Sequence, residues 1–164
     1  TPFQVKLMVI VAYDVRGVIV CHFVPHRRTV TAQYYRDFLL RQVRRGIREK
    51  RPDLVDSAII LHDNARPHKA ECVGRLLRRW GWEELEHPPY SPDISPCDFH
   101  LIRKIKEPLR GRRFATREDI ANAVRQQVTR FTHGAAHPEA DGIQRLPHRW
   151  QRVVTAAGDY FEGL

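Results

Sequence analysis

Hydrophobic residues in the first third of the chain form two strand-like runs followed by helical spacing. Residues 5–13 and 17–24 are rich in β-branched side chains, and the turn Asp14-Val15-Arg16-Gly17 between them suits antiparallel strands. With Thr31 as the expected N-cap, the pattern predicts a β-hairpin followed by a helix within residues 29–47. The apolar residues at helical intervals there are Tyr35, Phe38, Leu39, Val43 and Ile47.

The rest of the chain alternates predicted strands and helices. Residues 57–63 are a short apolar run typical of a buried strand, and prolines make residues 87–96 a rigid loop. The other predicted elements are helices at 70–80, 97–109, 116–131 and 142–161, and a short strand at 81–87. This order predicts an α/β fold with a mixed sheet, antiparallel at its start and parallel afterwards.

Two aspartates stand at element boundaries where chemistry is often located. Asp63 ends the predicted strand, and Asp98 opens a predicted helix behind the proline-rich loop. Each has a structural alternative: Asp63 as the cap of the next helix, and Asp98 as the acid of a capping box begun by Ser95. As a pair they also suit catalysis, because ligands gather beyond the ends of strands in open α/β sheets.

The chemistry of this pair points to metal-dependent phosphoryl transfer. Magnesium prefers hard oxygen ligands such as carboxylates in octahedral geometry. Phosphoryl transfer on DNA is commonly run by two such ions about 4 Å apart, and several carboxylates must converge to hold them. Asp63 and Asp98 are two such groups, separated by 34 residues, and a third acid is expected.

The net charge adds a partner class to this picture. Lysine and arginine outnumber aspartate and glutamate by 28 to 19, which gives a formal net charge of +9. An excess of this kind favours a polyanion such as nucleic acid, although a basic surface also serves solubility. The basic loop 109–114 is one candidate for DNA backbone contact, through Arg110, Arg112 and Arg113, or else a solvated surface.

Other classes of protein are disfavoured by what the composition lacks. Cys21, Cys72 and Cys97 are far apart and form no CxxC pair, so neither a zinc site nor a disulfide framework is indicated, and a reducing compartment fits best. No apolar run reaches the roughly 18 residues that a membrane-spanning helix needs. Because the chain opens without an initiator Met or a basic leader, we expect a fragment, a processed chain or a trimmed sequence.

Two motifs carry a family resemblance. "HDNARPH" at residues 62–68, followed by "HPPYSPDISPCDFHLI" at 87–102, resembles the catalytic core of mariner-type transposases. These enzymes belong to the aspartate-triad transposases with a ribonuclease H-like fold. Asp63 and Asp98 match the second and third catalytic aspartates, which this family separates by 34 residues. The segments "REKRPDLV", "GWEELEHPPYSPD" and "LPHRWQRVV" are similar as well, so the resemblance covers most of the chain.

The resemblance implies cut-and-paste DNA transposition. Water would cleave a phosphodiester at the transposon end, and the freed 3′-hydroxyl would attack target DNA at a TA dinucleotide. Asp63 and Asp98 would hold Mg²⁺, with Mn²⁺ as a substitute, in a two-metal site. Asn64, Arg66 and His68 would support the scissile phosphate, although helix capping or surface packing remains the alternative for each. A homodimer and a nuclear location are implied too.

The same resemblance implies that parts of the family's machinery are not in residues 1–164. The first catalytic aspartate of the family lies on a strand that precedes residues 5–13, and helix-turn-helix DNA-binding domains precede that strand. We therefore expect a single partial catalytic domain, with an empty slot where the first, central strand belongs, that is inactive alone. Asp14 is rejected as a substitute because it lies in a turn.

Whether the chain is an enzyme therefore stays open at this point. A non-catalytic DNA-binding or interaction remnant of a decayed or domesticated transposase is the alternative. A ribonuclease H-like nuclease of another family is disfavoured by the 34-residue spacing and by the "YSPDISP" loop.

Overall fold

A computed structural model describes residues 5–62, 71–85, 101–131 and 151–163 of the chain. Its strands are β1 (Val5–Asp14), β2 (Gly17–Phe23), β3 (Ile59–His62), β4 (Glu83–Leu85) and β5 (Val153–Gly163). Its helices are α1 (Ala32–Phe38), α2 (Arg44–Lys50), α3 (Glu71–Trp80), α4 (Leu101–Lys106) and α5 (Arg117–Arg130). A π-helical turn at Leu39–Val43 joins α1 to α2, and 3₁₀ turns occupy Pro52–Leu54 and Glu107–Leu109.

The five strands form one mixed sheet in the order β2-β1-β5-β3-β4. Strand β1 pairs antiparallel with both β2 and β5, whereas β3 pairs parallel with both β5 and β4. This arrangement confirms the predicted α/β fold with a mixed sheet. The predicted hairpin, the helices at 70–80 and 116–131, and the short strand after Trp80 are confirmed with it.

Helices cover both faces of the sheet, and successive residues of each strand point to opposite faces. On the first, the α1–α3 face, Ile10 packs with residues of α1, α2 and α3 such as Tyr35. On the second, the α4–α5 face, Val9 packs with residues of α4 and α5 such as Ile105 and Val124. All five side chains are almost completely buried, so the sheet separates two apolar clusters.

Threonine side chains cap the N-termini of two helices. The hydroxyl of Thr31 accepts a hydrogen bond of 3.1 Å from the backbone N–H of Tyr34, which confirms the predicted N-cap of α1. The hydroxyl of Thr116 accepts an equivalent bond of 3.1 Å from the N–H of Asp119 at the start of α5. Each cap satisfies an N–H group that would have no partner inside its helix.

The C-terminal segment corrects two predictions. Residues 142–161 were predicted as a helix, but from Val153 onward they form β5, while residues 142–150 lie outside the described part. The expected empty slot is also wrong, because β5 lies between β1 and β3 and pairs with both. The physical reason is that β1 and β3 present unpaired backbone groups, and a β-branched run beginning Val153-Val154-Thr155 satisfies them.

The turn between β1 and β2 contains a buried ion pair. The carboxylate of Asp14 accepts bonds of 2.7 Å from Arg51 Nε and 3.1 Å from Arg51 Nη2. It also accepts a 2.9 Å bond from the backbone N–H of Arg16. The Asp14 side chain is 0% exposed and that of Arg51 is 10% exposed. Asp14 therefore has a structural role, tying the hairpin to the end of α2.

We expect Asp14→Ala to lower the free energy of unfolding by about 3 kcal/mol or more, because it leaves the Arg51 guanidinium buried without its partner. Asp53→Ala is the matched control, since Asp53 pairs with Arg16 at 3.2 Å but is 60% exposed. Its loss should be below about 1 kcal/mol. Urea denaturation of both variants measures the difference, and equal losses would contradict the structural role of Asp14.

Candidate functional site

The structure describes the elements that adjoin the candidate site in sequence, but not the predicted site residues themselves. Asp63, Asn64, Arg66, His68 and Asp98 all lie outside the described residues. The described neighbours are β3, whose last residue, His62, precedes Asp63, and α4, whose first residue, Leu101, follows Asp98 by three positions.

Strand β3 and helix α4 belong to the same core cluster. Leu61 of β3 and Ile105 of α4 are both buried on the α4–α5 face, together with Ile59 and Leu101. Side chains of β3, which leads into Asp63, and of α4, which begins three residues after Asp98, therefore pack together on one face of the sheet. This is the arrangement that a site built from both carboxylates requires.

Strand β5 pairs with β3 and lies beside its end. Thr155 lies in register with Leu61, and Ala156 lies in register with His62. Alternation along β5 places Thr155 on the α4–α5 face, between Val153 and Ala157. The hydroxyl oxygen of Thr155 is buried and has no hydrogen-bond partner among the described residues. A polar atom is thus available on the face that carries α4.

Asp159 is the first carboxylate along β5 and was missed by the sequence reasoning. It lies two residues beyond Ala157, on the same face, and its Oδ2 accepts a 2.8 Å hydrogen bond from Lys106 Nζ at the end of α4. Lys106, Arg110 and Asp159 line a cleft of about 410 Å³. The missed signal was the β-forming composition of residues 153–161, which a helical reading hid.

His62 anchors the end of β3 from the opposite face. Its side chain is 4% exposed, with Nδ1 2.7 Å from the Tyr35 hydroxyl and Nε2 3.2 Å from a carboxylate oxygen of Glu84. The three residues come from β3, α1 and β4, so their contacts tie the last residue of β3 to both neighbours. His62 belongs to the motif at residues 62–68, but the sequence pattern does not predict this role for it.

The basic loop after α4 has the exposure that DNA contact requires. Arg110, Arg112 and Arg113 are exposed and form no ion pair with a described carboxylate. Gly111 occupies the left-handed region at φ 77°, which makes the tight turn between them. The guanidinium of Arg112 lies 5.3 Å from the Phe114 ring centroid, so one of the three arginines is held against an aromatic face.

Two of the three arginines of α3 differ from those of the loop because they share an acidic partner on their own helix. Arg75 and Arg78 lie 3.6 Å and 2.8 Å from the carboxylate of Glu71. The hydrogen bond and charge of Arg78 lower the pKa of Glu71, which therefore stays ionised. Glu71 offsets part of the positive charge of α3, so α3 is a weaker candidate for DNA contact than the loop.

In residues 5–62, 71–85, 101–131 and 151–163, no three His, Cys, Asp or Glu side chains are grouped as metal ligands. None of the helices in those ranges is long and apolar enough to cross a membrane.

The chain is similar to a family model and to two curated proteins. Residues 1–57 match the family model described as transposase (partial DDE domain). The chain is 34% identical over 163 residues to the human histone-lysine N-methyltransferase SETMAR, covering 96% of this chain and 23% of that protein. It is 32% identical over 166 residues to the mariner Mos1 transposase of Drosophila mauritiana, covering 98% of this chain and 46% of that protein. The chain therefore spans less than half the length of these curated relatives.

Solved structures of the Mos1 transposase share the fold. The structure of its catalytic domain with Raltegravir and Mn superposes with a TM-score of 0.69 at 32% identity, covering 89% of this chain and 72% of that chain. The Mos1 paired-end complex with the left transposon end gives a TM-score of 0.69 at 33% identity, covering 92% of this chain and 43% of that chain.

These matches confirm both the fold and the resemblance predicted from the motifs. The mixed five-stranded sheet flanked by helices is that of the Mos1 catalytic domain. The chain belongs to the mariner-type transposases, and its described residues form the ribonuclease H-like sheet of their catalytic domain.

Proposed function

We propose that this chain is the catalytic-domain part of a protein that performs metal-dependent DNA strand cleavage and strand transfer in cut-and-paste transposition, with Asp63 and Asp98 as catalytic carboxylates, and that residues 1–164 are inactive alone. The observation that carries the proposal is the shared core cluster of β3 and α4, the two elements that adjoin these aspartates in a transposase fold. Because β3 and α4 share one cluster, the two described elements that adjoin these aspartates in sequence pack on the same face of the sheet.

The donor chemistry of this face fits a hard divalent cation. Carboxylate oxygens are the ligands that Mg²⁺ prefers, and Mn²⁺ accepts the same ligands. The buried, unpartnered hydroxyl of Thr155 adds a neutral oxygen on the same face. Asp63 and Asp98 would hold the ion, which, when bound, supplies electrophilic polarisation of a phosphate oxygen. The Mos1 catalytic domain has been solved with Mn, which supports this assignment.

The other residues bind and orient rather than react. His62, the last residue of β3, is held in place by its contacts with Tyr35 and Glu84. Arg110, Arg112 and Arg113 would contact the DNA backbone, where phosphate contacts position a protein without reading sequence. Asn64, Arg66 and His68 are proposed to support the scissile phosphate beside Asp63.

The proposed partners are transposon ends and a TA target, with the protein acting as a homodimer in the nucleus. The Mos1 complex with a transposon end supports DNA as the partner. The net charge of +9 is consistent with it, since a basic protein gains non-specific affinity for phosphates. The dimer, the TA target and the nuclear location rest on the family alone.

One observation favours a non-catalytic role for residues 1–164 alone. On the central strand, the residue in register with His62 is Ala156, and the first carboxylate beyond it, Asp159, is already paired with Lys106. The described part of β5 therefore places no free third carboxylate beside the end of β3. A DNA-binding remnant without cleavage activity is the second candidate function for this reason.

We expect Asp63→Ala and Asp98→Ala in the full-length protein to reduce Mg²⁺- or Mn²⁺-dependent nicking of supercoiled DNA by at least about 100-fold, more than the loss of a supporting residue causes. Asp53→Ala, which removes an exposed carboxylate elsewhere, should nick normally. Gel assays of nicked product over time give the rates. Undiminished nicking by both variants would refute the assignment of the site.

Residues 1–164 by themselves are expected to show no nicking above the metal-free background, because the described part of β5 places no free third carboxylate beside the end of β3. Nicking by residues 1–164 would instead test whether Asp159 acts as the third carboxylate. If residues 1–164 nick DNA, and Asp159→Asn abolishes this while Lys106→Met preserves it, then Asp159 is the third carboxylate. Nicking that survives Asp159→Asn would overturn the requirement for a third carboxylate instead.

A further inference from the structure

A second basic surface lies apart from the residues assigned so far. It is a groove of about 730 Å³ between the connection from β2 to α1, at residues 24–29, and the N-terminal end of α5, at residues 115–117. Its floor is formed by Lys6 and Met8 of β1 and by Tyr160 of β5. The described residues that line it include no acid, and its cationic or titratable bases are Lys6, His26, Arg27, Arg28 and Arg117.

The walls of the groove are held by defined contacts. Arg117 donates hydrogen bonds of 2.6 Å to the carbonyl oxygen of Lys6 and 3.2 Å to that of Val24, which attaches α5 to the ends of β1 and β2. The Arg28 guanidinium lies 5.6 Å from the Tyr34 ring centroid. Arg27 and Arg28 are exposed and form no ion pair with a described carboxylate. Two exposed cations thus lie beside Arg117, whose guanidinium is hydrogen-bonded to the backbone.

The backbone of Arg27 is in a conformation that its side chain disfavours. The N–H of Arg28 donates a 3.0 Å bond to the carbonyl of Pro25, which closes a tight turn with Arg27 at its third position. Arg27 has φ 63°, and glycine is the residue that this position favours. An arginine there costs stability that glycine would not, and strain of this kind is concentrated at functional positions.

The groove is close enough to the candidate site to share one duplex with it. Tyr160 lies four residues beyond Ala156, the register partner of His62. At the usual rise of a strand, the groove is therefore about 13 Å beyond the end of β3. This distance is well within one turn of B-DNA, about 34 Å.

We propose that Lys6, Arg27, Arg28 and Arg117 form an anchoring site for the phosphodiester backbone of duplex DNA, separate from the carboxylates that would cleave it. The proposal rests on the proposed function only in taking duplex DNA as the substrate. It requires no metal, because its affinity comes from the release of counterions by Lys and Arg side chains. It deepens the function by giving the substrate a second point of attachment.

Arg27→Gly tests the proposal because stability and binding should change in opposite directions. Glycine relieves the strain at φ 63°, so the midpoint of urea denaturation should rise. Binding of a fluorescein-labelled duplex of about 30 base pairs, measured by anisotropy in EDTA, should weaken several-fold. The slope of log Kd against log salt between about 50 and 200 mM should fall by about one. A merely structural arginine would not produce this combination.

Two further variants separate the groove from net charge. Arg27→Gly combined with Arg28→Ala should lower the salt slope by about two. Arg48→Ala removes one exposed positive charge on α2, away from the groove, and should leave the slope unchanged. The proposal is overturned if Arg27→Gly binds duplex as wild type does, if Arg48→Ala weakens binding equally, or if the wild-type protein does not bind duplex. Tighter binding of single-stranded RNA through the same residues would also overturn it.

The outcome is independent of the test of the catalytic carboxylates. Binding in EDTA should be the same for Asp63→Ala, Asp98→Ala and wild type. Loss of binding in the groove variants, without any metal-dependent nicking by the full-length protein, would support the groove and refute the proposed function. Nicking that depends on both aspartates, with normal binding in the groove variants, would support the proposed function and refute the groove.

Discussion

The described fold depends on the pairing of β5 with two neighbours at once. The β1–β2 hairpin lies on one side of β5 and the parallel β3–β4 pair lies on the other. Among the described residues, β1 and β3 are connected within the sheet only through β5. Nine register pairs join β5 to β1 and four join it to β3. The two apolar clusters face opposite sides of this sheet, so both depend on the same strand.

The composition of β5 follows from that position and shapes the candidate site. A Cβ on Gly158 would lie 2.9 Å from Met8 Cε, the flexible end of a side chain on the neighbouring strand β1. Where β3 ends, β5 offers Ala156, Ala157 and Gly158, and its carboxylate follows at Asp159. The strand that completes the sheet thus also limits the number of acids beside Asp63. Stability and catalytic competence place different demands on this one segment.

Local chemistry explains which parts of the fold were predictable from sequence. The hairpin turn, the Thr31 cap and the apolar spacing of α1 depend on residues a few positions apart, and these predictions are confirmed. The identity of β5 depends on β1 and β3, which lie about 90 or more positions away along the chain, so residues 153–161 were misread as a helix. Asp63 and Asp98 were found through motif and spacing. The contacts of His62 and the position of Asp159 depend on tertiary pairing, which spacing does not reveal.

The distribution of charge is a further property that the net value of +9 does not give. On two helices, arginines have acidic partners one turn away: Arg45 pairs with Glu49 at 3.1 Å, and Arg75 pairs with Glu71 at 3.6 Å. Arg110, Arg112 and Arg113 of the loop and Arg27 and Arg28 of the groove form no ion pair with a described carboxylate. Because surface pairs contribute little to stability, their placement costs the fold little. It does determine where a polyanion is attracted. The uncompensated charge flanks the end of β5 that extends past β3, which is also the end of the sheet where Asp63 follows His62 in the sequence.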